Sequence, residues 1–104
     1  MSLNGIQILN SSLPQIKTVC EQHHVKQLFV FGSACTPDFK PTSDIDFIVS
    51  FRDRYFDGYL NNFISLKDQL ENLLGRKTDI ITEQAITNPV FLASLNQTKQ
   101  IVYG

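Results

Sequence analysis

The chain has no Lys/Arg cluster, no apolar run of membrane-spanning length and only two cysteines, Cys20 and Cys35. Each shortage removes a class of explanation. Proteins that grip a nucleic-acid backbone usually carry a basic stripe. Here 9 Lys and Arg stand against 10 Asp and Glu, for a net charge of −1, so no nucleic-acid partner is expected. A membrane-crossing helix needs roughly 20 apolar residues, so no membrane association is expected either. The N-terminus lacks a basic segment followed by an apolar stretch, and no signal peptide is read there. Two cysteines without zinc-type spacing offer neither a metal finger nor a disulfide framework, and a reducing cytoplasm is the default location. Internal repeats, low-complexity tracts and linkers are also missing. The 104 residues are expected to form a single domain, 1–104, around one modest core.

What is present is a regular alternation of helical and strand patterns. Residues 10–24 read as a helix capped by Ser11 or Ser12, with Pro14 in the tolerated first turn. Its stripe is Leu13, Ile16, Val19, Cys20 and His23. Leu28 to Phe31 is apolar on both faces and reads as a central strand. Thr36-Pro37 limits any helix opening at Ser33 to about one turn, and Asp38 to Ser43 is a polar loop. Residues 44–51 alternate as a strand. Asp44, Asp46, Ile48 and Ser50 share one face, and Ile45, Phe47, Val49 and Phe51 share an apolar underside. Residues 59–74 form the clearest helix, with Leu60, Phe63, Ile64, Leu66, Leu70, Leu73 and Leu74 as its buried stripe and Gly75 at the C′ position. Lys77 to Thr82 is a third strand. Asn88 caps a short helix starting at Pro89 and docked by Phe91, Leu92 and Leu95. Gln100 to Tyr103 is an edge strand or extended tail. The order implies an α+β fold, a mixed sheet with helices packed on it.

The chemistry sits at the strand ends. Two carboxylates two positions apart in a strand point the same way, so Asp44 and Asp46 can grip a divalent metal together. Gly32-Ser33 ends the first strand, where a turn can offer backbone N–H groups to phosphate. Asp79 is the one acidic residue inside the third strand and can complete the set. Magnesium takes hard oxygen ligands and usually binds one or two carboxylates plus substrate phosphates. Two such ions about 3.5–4 Å apart can serve the attacking and leaving oxygens of a displacement. Three carboxylates gathered without a cation repel and raise one another's pKa, so the arrangement makes sense only with metal. Asp-x-Asp alone reads more often as a solvated strand end, and Gly-Ser alone is a common turn. The specificity lies in the combination.

Gly32 to Val49 resembles the minimal nucleotidyltransferase branch of the DNA polymerase beta-like superfamily, whose signature is Gly-Ser, ten residues, then Asp-x-Asp. Lys77 to Thr82 is similar to the family's third-carboxylate strand, and Asn88 to Tyr103 to its C-terminal end. The resemblance implies a polymerase beta palm-like fold. It assigns Gly32 and Ser33 to the nucleotide triphosphate, with ATP as donor, and Asp44, Asp46 and Asp79 to magnesium and catalysis. It further implies a HEPN-domain toxin as partner, silenced by transfer of AMP to a tyrosine. The family continues Gly-Ser with one or two small residues and Arg-Gly. This chain reads Ala34-Cys35-Thr36-Pro37, without the arginine, and Lys40, Arg52 and Arg76 are the cations weighed as substitutes. That loss favours the second reading, an antitoxin acting by contact alone. Transfer to a small molecule is a third reading, disfavoured because the chain is too short to carry a second substrate-binding domain.

Other residues have blander readings. His23 and His24 complement a helix C-terminus. Cys35 is a small filler more readily than a reactive thiol. Phe51 is read as core and Glu83 as surface. Tyr55 and Phe56 are divided between partner surface and packing. Arg52-Asp53-Arg54 is a solvated turn that could reach phosphate. A homo-oligomer stays open, since Ile101-Val102-Tyr103 could pair across a dimer or pack internally.

Overall fold

The computed structural model describes residues 5–32, 43–53 and 56–104. Helix α1 (Gly5–Ser11) and helix α2 (Leu13–Gln22) lead into strand β1 (Val25–Phe31). Strand β2 (Ile45–Phe51), helix α3 (Tyr59–Leu74) and strand β3 (Thr78–Thr82) follow. A 3-10 turn (Glu83–Ala85), helix α4 (Pro89–Thr98) and strand β4 (Gln100–Tyr103) complete the described elements. Among the described residues the sheet has four strands in the order β3-β2-β1-β4. Strand β1 runs antiparallel to β2 and β4, and β2 runs parallel to β3.

The expected α+β architecture is what forms. The helix expected over 10–24 is two helices broken at Ser12, whose N–H donates to the Leu9 carbonyl at 3.0 Å. Ser12 occupies the N-cap position, yet its side chain makes no capping bond. The Ser11 hydroxyl turns back to the Ile8 carbonyl at 2.8 Å instead. Pro14 sits in the first turn of α2, where no intrahelical N–H bond is lost. Gly75 ends α3 in a left-handed conformation, φ +67, and its N–H satisfies the Glu71 carbonyl at 2.9 Å. Asn88 caps α4 by accepting from the Val90 and Phe91 N–H groups.

Period-two alternation splits the sheet into two faces. One face packs on α2 and α3. Leu28, Val30, Ile45, Phe47 and Val49 meet Ile16, Cys20, Leu66 and Leu70 there, all fully buried. Each large side chain so buried contributes on the order of 1.5–3 kcal/mol. Phe51 joins this core, as expected. The other face carries a smaller cluster of Phe31, Ile48 and Leu95, with Phe29, Ile81 and Ile86 against it. Ile48 is therefore buried rather than lying on an open edge.

Five residues expected in the core stay exposed. Leu60 and Ile64 of α3 are 68% and 49% exposed, because the apolar stripe is wider than the surface it covers. Leu13 is exposed at the start of α2. Phe91 and Leu92 do not dock α4; Leu95 alone is buried from that helix. Ile101 and Tyr103 pair with Phe29 and Leu28 of the same chain.

His23 ties α2 to α3. Its ring Nδ1 lies 2.7 Å from the Val19 carbonyl, so that nitrogen donates. Nε2 then accepts from the Ser65 hydroxyl at 2.9 Å, and Asn62 donates to the His23 carbonyl at 2.8 Å. His24 turns the chain at φ +61 and stacks on Phe56 with ring centroids 4.3 Å apart. Phe56 is thus used in packing, and Tyr55 and Arg54 lie outside the described residues. Burial pushes the Cys20 thiol up to about 12, with Glu21 adding to the shift, so it stays a protonated filler.

Candidate active site

Strand pairing builds the site. Asp46 and Asp79 are direct partners across the parallel pair β2 and β3. Adjacent strands lie about 4.8 Å apart, so the two carboxylates start from neighbouring backbone positions on one face. That face is the one bearing Ile48 and Ile81, away from α2 and α3. Asp44 stands two residues before Asp46, at the same parity, and the Ile45 N–H donates to the Lys77 carbonyl at 3.2 Å, fixing the approach. Across β1, Phe31 pairs with Asp46 and brings the chain directly to Gly32.

Gly32 has φ +74, a left-handed conformation. A β-carbon there would stand 2.7 Å from Oδ2 of Asp46, closer than such atoms approach in proteins. Gly32 is therefore pressed against the central carboxylate. Ser33, Cys35, Lys40 and the rest of residues 33–42 lie outside the described residues.

Asp46 is half-buried, while Asp44 and Asp79 are exposed. Burial pushes the Asp46 carboxyl above the ordinary carboxylate range, and the negative charges of Asp79 and Asp44 push it further. The three groups thus share one electrostatic field. Among the described residues, no three His, Cys, Asp or Glu side chains close into a ready-made ion cage. Like charges oppose that closure until a cation neutralises them. The donor chemistry fits a hard divalent ion such as magnesium: carboxylate oxygens at two neighbouring strands beside a turn that leaves no room for a side chain.

The candidate cations separate clearly. Arg52 lies at the opposite end of β2, where its N–H donates to the His24 carbonyl and its Nη2 to the Glu21 carbonyl. Seven strand residues span roughly 20 Å, so Arg52 does not serve the carboxylates. Arg76 is at the correct end, and its Nη1 donates to the Ser43 carbonyl at 3.3 Å. Lys99, which the sequence reading passes over, holds Nζ 4.2 Å from the ring centroid of Phe29 on the carboxylate face. Its only signal in the sequence is its place just before β4, and that gains meaning once β4 is seen to pair with β1.

The family model for polymerase beta nucleotidyltransferases matches residues 14–104. The chain belongs to that family. This nucleotidyltransferase is 37% identical over 81 residues to the candidate protein adenylyltransferase MJ1217 of Methanocaldococcus jannaschii, covering 78% of this chain and 80% of the relative. It is 30% identical over 87 residues to the protein adenylyltransferase MntA of Thermococcus cleftensis, covering 84% and 82%. Its fold matches a solved candidate minimal nucleotidyltransferase with a TM-score of 0.75 at 24% identity, covering 94% and 95% of the two chains. It also matches a solved complex of an MNT antitoxin with the tri-AMPylated HEPN toxin of Shewanella oneidensis. There the TM-score is 0.63 at 15% identity, covering 92% and 72%. No helix among the described residues of the nucleotidyltransferase is long and apolar enough to cross a membrane.

Proposed function

We propose that this nucleotidyltransferase moves AMP from ATP, with magnesium, to a tyrosine hydroxyl of a HEPN-type toxin and so acts as its antitoxin. The observation that carries the reading is the register that sets Asp46 beside Asp79 on the face where Gly32 closes against Asp46. The names of the relatives and the AMPylated toxin in the structurally similar complex support the choice of nucleotide and acceptor.

Asp44, Asp46 and Asp79 would hold the metal, and Gly32 and Ser33 would receive the triphosphate. A bound divalent ion neutralises phosphate charge and polarises the reacting oxygens. Asp79 lies on the edge strand β3 and is exposed, so an acceptor hydroxyl from another protein can reach it. Asp79 accepts the hydroxyl proton as the new oxygen–phosphorus bond forms at the α-phosphorus. The bond from that phosphorus to the bridging oxygen breaks, and pyrophosphate leaves.

The test is the intact mass of a HEPN-type toxin after incubation with ATP, magnesium and the enzyme. One or more AMP increments are expected, and none with the Asp44→Asn/Asp46→Asn double variant. In cells, that variant should fail to neutralise the toxin. An unmodified toxin that the double variant still neutralises would establish a contact-only antitoxin instead.

A further inference from the structure

We propose that Lys99 binds the β- and γ-phosphates of the nucleotide, supplying the positive charge that the sequence directly after Gly32, Ser33 to Pro37, lacks. The inference rests on the nucleotidyl-transfer reading above and assigns a role within that same site.

The sheet order is β3-β2-β1-β4, and the carboxylate face reads across it. Asp79 on β3 pairs with Asp46 on β2, and Asp46 pairs with Phe31 on β1. Val30 pairs with Gln100, so Lys99, one residue earlier, comes level with the end of β1. Two strand spacings place the Lys99 backbone about 10 Å from that of Asp46, a gap that a lysine side chain and a phosphate chain can bridge. The ammonium itself is located by Phe29, whose ring centroid is 4.2 Å from Nζ. Phe29 pairs with Ile48, two residues from Asp46 on the same face. Phe29 and Asp46 are therefore diagonal neighbours, about 7–8 Å apart.

Direction decides which phosphates are involved. In phosphoryl-group displacements the attacking and leaving oxygens lie roughly in line. Asp79, as proton acceptor, fixes the acceptor hydroxyl on the β3 side. The leaving pyrophosphate then extends the opposite way, over Gly32 and β1 toward β4. Lys99 stands on that side. Its contact with Phe29 holds the ammonium by the ring quadrupole and leaves its full positive charge available to an anion. Arg52 is at the far end of β2, and Arg76 enters β3 at the sheet edge opposite β4, where it donates to the Ser43 carbonyl, so neither occupies this position.

The experiment is calorimetric titration of the full chain with magnesium-ATP, magnesium pyrophosphate and AMP. Lys99→Ala should weaken ATP and pyrophosphate about tenfold or more, the scale of one charge-assisted contact, and leave AMP within about twofold. Lys99→Arg should restore most of the loss. Lys99→Met keeps the apolar stem on the Phe29 ring and should bind like the alanine variant, which separates charge from packing. Lys26→Ala removes the same charge at the opposite end of β1 and should change nothing. Wild-type binding of ATP with an unaltered Lys99→Ala affinity overturns the inference and leaves the transfer reading standing. An equal loss of AMP and ATP binding in the variant also overturns it. A wild-type chain that binds neither ATP nor pyrophosphate overturns both.

Discussion

Replacing Gly32 by alanine probes its close approach to the Asp46 carboxylate. Two costs are expected. At φ +74 an L-residue is left-handed, which costs about 1–2 kcal/mol. The smaller conformational freedom of alanine in the unfolded chain returns about 0.4–1 kcal/mol of this. The new methyl would also meet Oδ2 of Asp46 at 2.7 Å, so the carboxylate must rotate away. An off-rotamer side chain costs about 0.5–1.5 kcal/mol. The net destabilisation is about 1–2 kcal/mol, a fall in Tm of roughly 5–15 °C for a domain of this size. Displacing Asp46 by about an ångström should lower transfer about a hundredfold. A thermal-melt double-mutant cycle with Asp46→Ala isolates the contact. In the alanine background the steric part vanishes and the backbone part stays, giving a coupling of about 0.5–1.5 kcal/mol. If the two substitutions add to within about 0.3–0.5 kcal/mol, the turn does not press on Asp46 and the reasoning is refuted.

The raised pKa of Asp46 predicts a pH-dependent stability with a definite sign. The folded state binds that proton more tightly than the unfolded chain, so the stabilisation is complete below the unfolded value of about 3.9 and is lost as pH rises through the folded value. Asp46→Asn should therefore raise the Tm of the metal-free protein at neutral pH, with the gain disappearing below about pH 4. A lower Tm at neutral pH would contradict this. Asp79→Asn should cut transfer about 100- to 10,000-fold, the scale of general-base loss, while ATP binding measured by calorimetry persists. His23→Ala removes the bonds to the Ser65 hydroxyl and the Val19 carbonyl, and denaturant unfolding should register a loss of about 1–3 kcal/mol with ATP affinity unchanged.

Strands were legible where one face is buried and the period is two. Residues 44–51 alternate in sequence, and Ile45, Phe47, Val49 and Phe51 are all buried in the structure. Capping chemistry was equally readable at Asn88 and Gly75, because each depends on a local backbone need. Helix faces were less so. Leu60, Ile64, Phe91 and Leu92 carry the right spacing and remain exposed, since spacing says which residues share a face and not how far the opposing layer extends. The break at Ser12 was hidden because nothing in Asn10-Ser11-Ser12 forbids a continuous helix. Asp44, Asp46 and Asp79 could be named from sequence, but their common face required the parallel pairing of β2 and β3. The cations show the limit most plainly. Arg52 follows the aspartate-bearing strand directly, yet a strand's length removes it from the site, while Lys99 is brought near by pairing between segments some seventy residues apart in the sequence.

The central claim is that Asp44, Asp46 and Asp79 serve one divalent cation beside the Gly32 turn. Amide NMR during a manganese titration, with and without a non-hydrolysable ATP analogue, tests it directly. Paramagnetic broadening should appear together at residues 44, 46, 79 and 32, strengthen with the nucleotide analogue, and be displaced by excess magnesium. Broadening centred elsewhere, or confined to Asp44 and Asp46 with Asp79 untouched, would contradict the account.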